Sequence, residues 1–342
     1  MQKEGNPLEE SAAFMGTERI LLSVEDLSVK FYLSSGTISA VNHLSFSVRK
    51  GTNFGIVGES GSGKSVTALT IMRLVAIPPA KVDSGRIVFD GEDLLKKSPD
   101  EMRSVRGKRI AMIYQDPMTS LNPVLRVGFQ IAESVMVHEK VPRKEAYEKA
   151  IQLMHAVGIP EPEKRARAFP HQFSGGMRQR IMIAMALSTD PEILIADEPT
   201  TALDVITQAQ ILSLMKSLQR QRNMTVILIT HDLGIVAEFC EEVLVMYAGA
   251  GMEHGTTSEI FSNPKHPYTK GLLQSITRVD RDISRLKSIP GEIPNLMSPP
   301  GGCRFHPRCT FVFPKCMTDE PKEFVLSGGR FSKCWLSEGE SG

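Results

Sequence analysis

A glycine-rich segment at residues 58–65 carries the strongest chemical signal in the chain. It reads Gly-Glu-Ser-Gly-Ser-Gly-Lys-Ser and matches the phosphate-loop pattern G-x-x-x-x-G-K-[ST]. Glycines let successive main-chain N–H groups turn toward a polyphosphate, and a following helix adds partial positive charge at its N-terminus. Lys64 can reach the β- and γ-phosphates, and the Ser65 hydroxyl can ligate Mg²⁺. The pattern predicts a nucleotide site made by Gly58, Ser60, Gly61, Ser62, Gly63, Lys64, Ser65 and Val66.

Two later apolar runs end in side chains suited to phosphoryl transfer. Residues 192–197 end in Asp197, with Glu198 next, and residues 225–230 are followed by His231. A carboxylate can hold Mg²⁺ or orient water, and a histidine can contact a phosphate. Taken alone, Glu198 is more often a solvated carboxylate and His231 a core histidine. Because both follow buried strands of one predicted sheet, their shared position favours the catalytic interpretation.

The elements that must position these residues alternate between buried strands and amphipathic helices. Continuous apolar runs are typical of strands in a parallel sheet, whereas the alternating segments before the phosphate loop predict antiparallel strands. Between about residues 118 and 178 helical segments replace the strands. The sequence therefore predicts an α/β P-loop NTPase with a mainly parallel core sheet, an N-terminal antiparallel β subdomain, a helical insertion and an irregular C-terminal extension.

The composition excludes several functional classes. Of 342 residues, 41% are hydrophobic and 23% are charged, with a formal net charge of +1. This near-neutral balance gives no electrostatic reason to expect a nucleic-acid partner. No apolar run approaches the roughly 20 residues that a membrane-spanning helix needs. Residues 1–20 are expected to be a flexible tail without a signal peptide, so the thiols are expected to stay reduced in the cytosol.

Six motifs in one order resemble the nucleotide-binding subunit of an ATP-binding cassette (ABC) transporter over about residues 21–255. They are the phosphate loop, Gln115 after a strand, Ser174-Gly175-Gly176, Asp197-Glu198, Ala202-Leu203-Asp204 and His231. Phe173 and Met177 stand where the family's signature motif usually has Leu and Gln. Contacts in this motif come mainly from the serine and the glycine backbone, so the resemblance still implies an active ATPase.

This resemblance implies a role for each residue. Glu198 would be the general base that polarises the attacking water, and His231 would touch the γ-phosphate. Gln115 would sense the γ-phosphate and Mg²⁺, while Asp197 would hold Mg²⁺ through water. Phe31 or Tyr32 would stack on the adenine. The signature residues Ser174, Gly175 and Gly176 and the D-loop residue Asp204 would act on the nucleotide of a partner cassette.

The Pro- and Gly-rich segment at 256–342 resembles the C-terminal region of oligopeptide, dipeptide and nickel importer ATPases. This implies a peptide importer with two permeases, a paralogous ATPase subunit and an extracytoplasmic solute-binding protein, the ATPase lying peripherally at the cytoplasmic face of the inner membrane. Nickel or another small solute is an alternative cargo, and a non-transport ABC ATPase is an alternative class. The absence of heptad repeats and of a second cassette argues against the latter.

Four of the five cysteines fall in this extension, where Pro and Gly allow them to converge. Free thiols in a reducing compartment suggest metal ligation rather than disulfides. Their spacing leaves zinc and iron–sulfur clusters open. The resemblance implies a [4Fe–4S] cluster, because several peptide-importer ATPases carry one here. The predicted ligands are Cys303, Cys309, Cys316 and Cys334, whereas Cys240 is predicted to be a core residue.

Overall fold

Two β-sheets organise the chain in the computed structural model, which describes residues 19–115, 120–201, 203–275 and 289–340. The predicted flexible tail therefore lies almost wholly outside the described residues, as does Ala202. The strands are β1 (Ile20–Leu33), β2 (Gly36–Arg49), β3 (Asn53–Val57), β4 (Ala80–Phe89), β5 (Glu92–Asp93), β6 (Ile110–Ile113), β7 (Ile193–Asp197), β8 (Thr225–Thr230), β9 (Glu242–Tyr247), β10 (Ala250–Thr256), β11 (Phe324–Val325) and β12 (Phe331–Ser332).

The α-helices pack on both faces of the core sheet, and several of them form a helical region between β6 and β7. They are α1 (Lys64–Ile71), α2 (Pro99–Val105), α3 (Val127–Glu139), α4 (Arg143–Ala156), α5 (Pro162–Arg165), α6 (Gly175–Ala186), α7 (Val205–Arg222), α8 (Leu233–Phe239), α9 (Thr257–Ser262), α10 (Pro267–Ser275) and α11 (Pro314–Thr318). Within the described residues, no helix has both the length and the apolar character needed to cross a bilayer.

The core sheet has the strand order β11-β12-β10-β9-β3-β8-β7-β6. Its central part, from β9 to β6, is parallel, and β10, β11 and β12 add an antiparallel edge. Every residue of β3, β7 and β8 is buried, because helices or a second layer cover both faces. The smaller sheet, ordered β2-β1-β4-β5, is antiparallel. The predicted fold class is confirmed.

Adjacent parallel strands bring the predicted site residues to one edge of the core sheet. Residue 57 at the end of β3 lies opposite Thr230 of β8, and Asp197 of β7 lies opposite Ile229. The phosphate loop, Glu198 and His231 therefore leave the sheet side by side. Gln115 follows β6 on the far side of β7. This is the carboxyl edge, where open α/β sheets bind ligands.

Two helices test the sequence prediction of local structure. The spacing of Ala146, Ala150, Met154 and Val157 predicts a helix within 142–157, and it is observed as α4. The sequence after the phosphate loop predicts a helix from Val66 to Leu74, but α1 begins two residues earlier, at Lys64. Gly63 takes φ +99 at the N-cap position, which only glycine adopts readily, and this turn allows the helix to begin inside the motif.

The C-terminal extension contains more regular structure than predicted. Besides short helices, it supplies β12, which pairs with Glu253 and His254 of β10, and β11, which pairs with β12. A buried ion pair reinforces the junction: Arg330 Nη2 lies 2.6 Å from Glu253 Oε1, and both side chains are nearly inaccessible to solvent. Cys240 is buried against Gly55 in the core, as predicted. The boundary near residue 256 thus crosses a continuous sheet.

Candidate functional site

Two glycines of the phosphate loop, Gly58 and Gly63, have no room for a side chain. A Cβ atom on Gly58 would lie 2.1 Å from the Met246 carbonyl oxygen, and one on Gly63 would lie 2.4 Å from the Ala40 carbonyl oxygen. Both distances are far below van der Waals contact. The loop therefore packs directly against the main chain of β9 and β2, which fixes the direction of its N–H groups.

Lys64 lies folded onto the loop that it follows. Its Nζ donates hydrogen bonds to the carbonyl oxygens of Gly58 (2.8 Å) and Glu59 (3.0 Å). Burial lowers the pKa of Lys64, and the nearby charges of Glu198 and Asp197 oppose this shift. A buried ammonium group at the centre of the loop is suited to neutralise phosphate charge.

Asp197 has the environment of a metal-binding carboxylate. Burial raises the pKa of Asp197, and a hydrogen bond with the Ser65 side chain partly offsets this effect. Its Oδ1 atom is buried without a hydrogen-bond partner among the described residues. Such an orphaned oxygen is costly unless a ligand satisfies it. Asp197 and Ser65, with Gln115 across the site, are thus oxygen donors that fit Mg²⁺.

Glu198 accepts hydrogen bonds from three side chains, two of which were predicted to belong to the site. Gln115 Nε2 and Thr201 Oγ1 each lie 2.9 Å from its Oε2 atom, and His231 Nδ1 lies 3.1 Å from Oε1. Burial alone would raise the pKa of Glu198, but the hydrogen bonds from His231 and Thr201 outweigh it, so the pKa is lowered. The carboxylate is therefore ionised at neutral pH, as a general base must be.

Sequence reasoning missed Thr201. The residue follows the Asp197-Glu198 pair by a few positions, and a hydroxyl soon after a catalytic carboxylate was the available signal. Glu198 itself has φ 46, and its N–H donates to the Ile229 carbonyl oxygen at 2.8 Å. This left-handed turn aims the carboxylate away from β7 and toward Gln115 and His231. The structure brings all four side chains together.

The predicted signature turn lies at the exposed start of α6. Ser174 and Gly175 are exposed, and the Ser174 hydroxyl accepts a hydrogen bond from the Met177 N–H at 3.4 Å. Gly176 packs against Thr207, since a Cβ on Gly176 would lie 2.6 Å from the Thr207 methyl carbon. Asp204 accepts hydrogen bonds from the N–H (2.9 Å) and hydroxyl (2.7 Å) of Thr207. Thr207 therefore joins the signature turn to the D-loop.

Comparison with known families agrees with this geometry. Residues 41–201 match the family described as "ABC transporter", and residues 252–316 match "Oligopeptide/dipeptide transporter, C-terminal region". A dipeptide transport ATP-binding protein of Bacillus subtilis is 51% identical over 318 residues, covering 93% of this chain and 95% of that protein. The chain belongs to the ABC transporter family. An oligopeptide transport ATP-binding protein of the same organism is 50% identical over 92% of this chain and 88% of its own length.

A solved structure also resembles this ABC ATPase. The dimeric ATP-binding cassette MJ0796, in a post-hydrolysis state bound to ADP and Pi, superposes with a TM-score of 0.62 and 26% sequence identity. The match covers 69% of this chain and 99% of MJ0796. The predictions of family, fold and ATPase activity are thereby confirmed.

The two aromatic residues predicted to contact adenine differ in exposure in this ABC ATPase. Phe31 packs against the hydrophobic cluster of the antiparallel sheet. Tyr32 is 48% exposed, and its hydroxyl lies 3.3 Å from Asp83 Oδ1. Adenine stacking by either residue stays a prediction.

The four cysteines of the ABC ATPase extension lie in one neighbourhood. Cys303 and Cys316 are joined by a main-chain hydrogen bond of 2.8 Å, and the thiols of Cys303, Cys309 and Cys316 all influence Cys334 electrostatically. Burial raises the pKa of Cys303 to about 11 and that of Cys334 to about 12.

These thiols are not arranged around a single ion. In the described ranges, no group of three or more His, Cys, Asp or Glu side chains is placed to hold a metal ion. Thiols are the donor type that both zinc and iron–sulfur clusters use. The predicted cluster thus finds no metal-ion geometry here and stays a prediction.

Proposed function

We propose that this ABC ATPase powers the import of dipeptides or oligopeptides. The observation that carries the proposal is the extent of the match to relatives named for dipeptide and oligopeptide transport, which spans 93% and 92% of this chain. The match includes a C-terminal region of the oligopeptide/dipeptide type. Nickel or another small solute is the second candidate, since none of the described residues at the nucleotide site is placed to select a cargo.

The site residues divide the work of hydrolysis. Lys64 and the loop N–H groups neutralise phosphate charge, while Glu198 accepts a proton from the attacking water. Gln115 and His231 hold the Glu198 carboxylate from opposite oxygens and orient it. Bound Mg²⁺ would supply further charge neutralisation. Ser65, Gln115 and Asp197 are the residues that would hold it.

Two chains are proposed to act together. The exposed turn at 174–176 would cap a nucleotide bound by a paralogous ATPase subunit, and Asp204 would contribute from the same surface. The pair would dock on two permeases at the cytoplasmic face of the inner membrane, with an extracytoplasmic solute-binding protein delivering cargo. We further propose that Tyr32, whose ring is exposed, rather than Phe31 stacks on adenine.

Transport by the reconstituted complex tests the cargo. Proteoliposomes carrying the permeases, both ATPases and the solute-binding protein are supplied with a dipeptide, a longer peptide or nickel. We expect ATP-dependent uptake of peptide and none of nickel, and a Glu198→Gln complex should show no uptake. Uptake of nickel alone would overturn the peptide assignment and leave the ATPase assignment intact.

The cysteines are proposed to bind a structural [4Fe–4S] cluster, with zinc as the alternative. The proposal is supported by the placement of four thiols in one neighbourhood. Protein purified without oxygen should contain about four iron and four acid-labile sulfide per chain. A Cys240→Ser chain should retain this content and a Cys334→Ser chain should lose it. Stoichiometric zinc without labile sulfide would refute the cluster.

A further inference from the structure

The C-terminal extension reaches the phosphate loop at one residue, Glu59. The Glu59 N–H donates to the Tyr268 hydroxyl at 3.0 Å, and its carboxylate accepts hydrogen bonds from Arg308 at 2.7 and 3.1 Å. Its carbonyl oxygen accepts a hydrogen bond from Lys64. The polar groups of Glu59 therefore link the extension on one side to the lysine that binds phosphate on the other.

The Arg308 side chain is held in place by burial and by hydrogen bonds other than those to Glu59. Its side chain is 5% exposed, its Nε donates to the Pro290 carbonyl oxygen at 3.0 Å, and its Nη2 donates to the Ile289 carbonyl oxygen at 3.2 Å. A further hydrogen bond of 3.3 Å runs to the Tyr247 hydroxyl. A planar guanidinium held in this way imposes one orientation on a carboxylate that it binds with two hydrogen bonds.

Tyr268 is equally constrained. It is completely buried, with its ring centre 4.6 Å from that of Tyr247 and 5.3 Å from that of Phe305. Phe305 lies between Cys303 and Cys309 in the chain, so the cluster of rings joins the cysteine segment to the loop. Because Tyr268 accepts the Glu59 N–H, it fixes the peptide plane at which the loop begins.

We propose that Arg308 and Tyr268 are positioning residues of the ATPase, which hold the phosphate loop in its phosphate-binding conformation. A glycine-rich loop without such contacts would lose backbone entropy each time it bound a nucleotide. Contacts that orient the loop in advance remove this cost from binding. The extension is then a working part of the nucleotide site. The proposal rests on nucleotide binding at this loop, which family membership supports and which the Lys64→Ala chain tests separately.

The experiment measures affinity for mant-ATP with Mg²⁺ in the purified full-length parent chain and in four variants of it. Arg308→Gln removes the two bonds to the Glu59 carboxylate, and Tyr268→Phe removes only the acceptor for the Glu59 N–H. Arg330→Gln is the control for Arg308→Gln. It breaks another buried ion pair of the extension, the one between Arg330 and Glu253 of β10. Tyr147→Phe is the control for Tyr268→Phe, because it removes a hydroxyl bonded to the Ala166 carbonyl oxygen in the helical region.

We expect Arg308→Gln and Tyr268→Phe to weaken mant-ATP binding about tenfold, as the misplacement of binding groups does. Both controls should bind like the parent chain, even where Arg330→Gln lowers the melting temperature more. In the assembled transporter the two variants should raise KM for ATP more than they lower kcat. If Arg308→Gln does not fold, Tyr268→Phe decides the result. Unchanged affinity in Tyr268→Phe, or an equal loss in Arg330→Gln, would overturn the proposal.

Discussion

The Nδ1 atom of His231 lies 3.1 Å from the Oε1 atom of Glu198, although the two residues follow different strands of the core sheet. The strands β7 and β8 are adjacent and parallel, so their carboxyl ends must meet. The pairing gives Glu198, the proposed general base, a partner that can both orient its carboxylate and stabilise its negative charge.

Replacing Glu198 with Gln should separate binding from hydrolysis. The amide keeps the shape of the side chain but cannot accept the proton, so kcat should fall by about 10²–10⁴-fold while ATP binding remains. Lys64→Ala should instead weaken binding, because it removes a buried positive charge from the loop. ATPase assays of the assembled transporter and mant-ATP titration of the single chain distinguish the two. Near-normal hydrolysis by Glu198→Gln would show that another group is the base.

Thr201→Val should change the pH dependence of turnover. The Thr201 hydroxyl donates one of the hydrogen bonds that lower the pKa of Glu198. A base acts when it is deprotonated, so activity is lost as the pH falls through its pKa. Without the hydroxyl this pKa rises, and the acid limb of the kcat profile should move to higher pH. Thr257→Val, which removes a hydroxyl bonded to the Cys240 carbonyl oxygen, should leave the profile in place.

Alanine at Gly63 should destabilise the protein more than alanine at Gly61. Both residues have positive φ, but only Gly63 has a main-chain atom in the way, whereas a Cβ on Gly61 meets nothing within 4 Å. We expect Gly63→Ala to cost about 2–4 kcal/mol from backbone strain and overpacking together. Urea unfolding of both chains measures the difference. Equal losses would mean that the contact with Ala40 relaxes freely.

Ser174→Arg should block pairing without affecting the chain's own nucleotide site. Ser174 is exposed, and its hydroxyl bonds only locally, to the start of α6. In a Glu198→Gln background and with the paralogous ATPase subunit added, MgATP should produce paired cassettes detectable by size-exclusion chromatography with light scattering. The added arginine should abolish that pairing and leave mant-ATP affinity unchanged. A loss of affinity in the single chain would place the turn at the chain's own nucleotide.

Arg330→Gln should lower global stability. Its partner Glu253 is completely buried, and removing the guanidinium leaves that carboxylate without its ion-pair partner. Breaking a buried pair in this way typically costs about 3–5 kcal/mol. Urea unfolding at neutral pH gives the value, and Lys315→Gln, at an exposed pair with Glu338, serves as the control. A negligible change in Arg330→Gln would mean that water replaces the guanidinium.

Local patterns were enough to predict the parallel core and the residues at its carboxyl edge. Buried strands have continuous apolar runs, and motif spacing placed Gln115, Glu198 and His231 at their ends. Contacts between distant segments leave no such pattern. Arg308 and Glu59 are 249 positions apart, and neither residue type indicates which residue it will bind. The strands β11 and β12 were missed because each has only two residues, too few for any periodicity.

The pairing of β12 with β10 also determines how the chain would respond to proteolysis. β10 is bonded to β9 on one side and to residues 331 and 332 on the other. A cut before β12 would leave β10 without its partner strand at Glu253 and His254, and it would uncover the His254 ring on which Phe331 stacks. Exposed edges of this kind recruit strands from other molecules. Subunits cleaved before β12 would therefore tend to aggregate. In the intact chain, β11 and β12 cover the edge of β10 and prevent strands of other molecules from pairing with it.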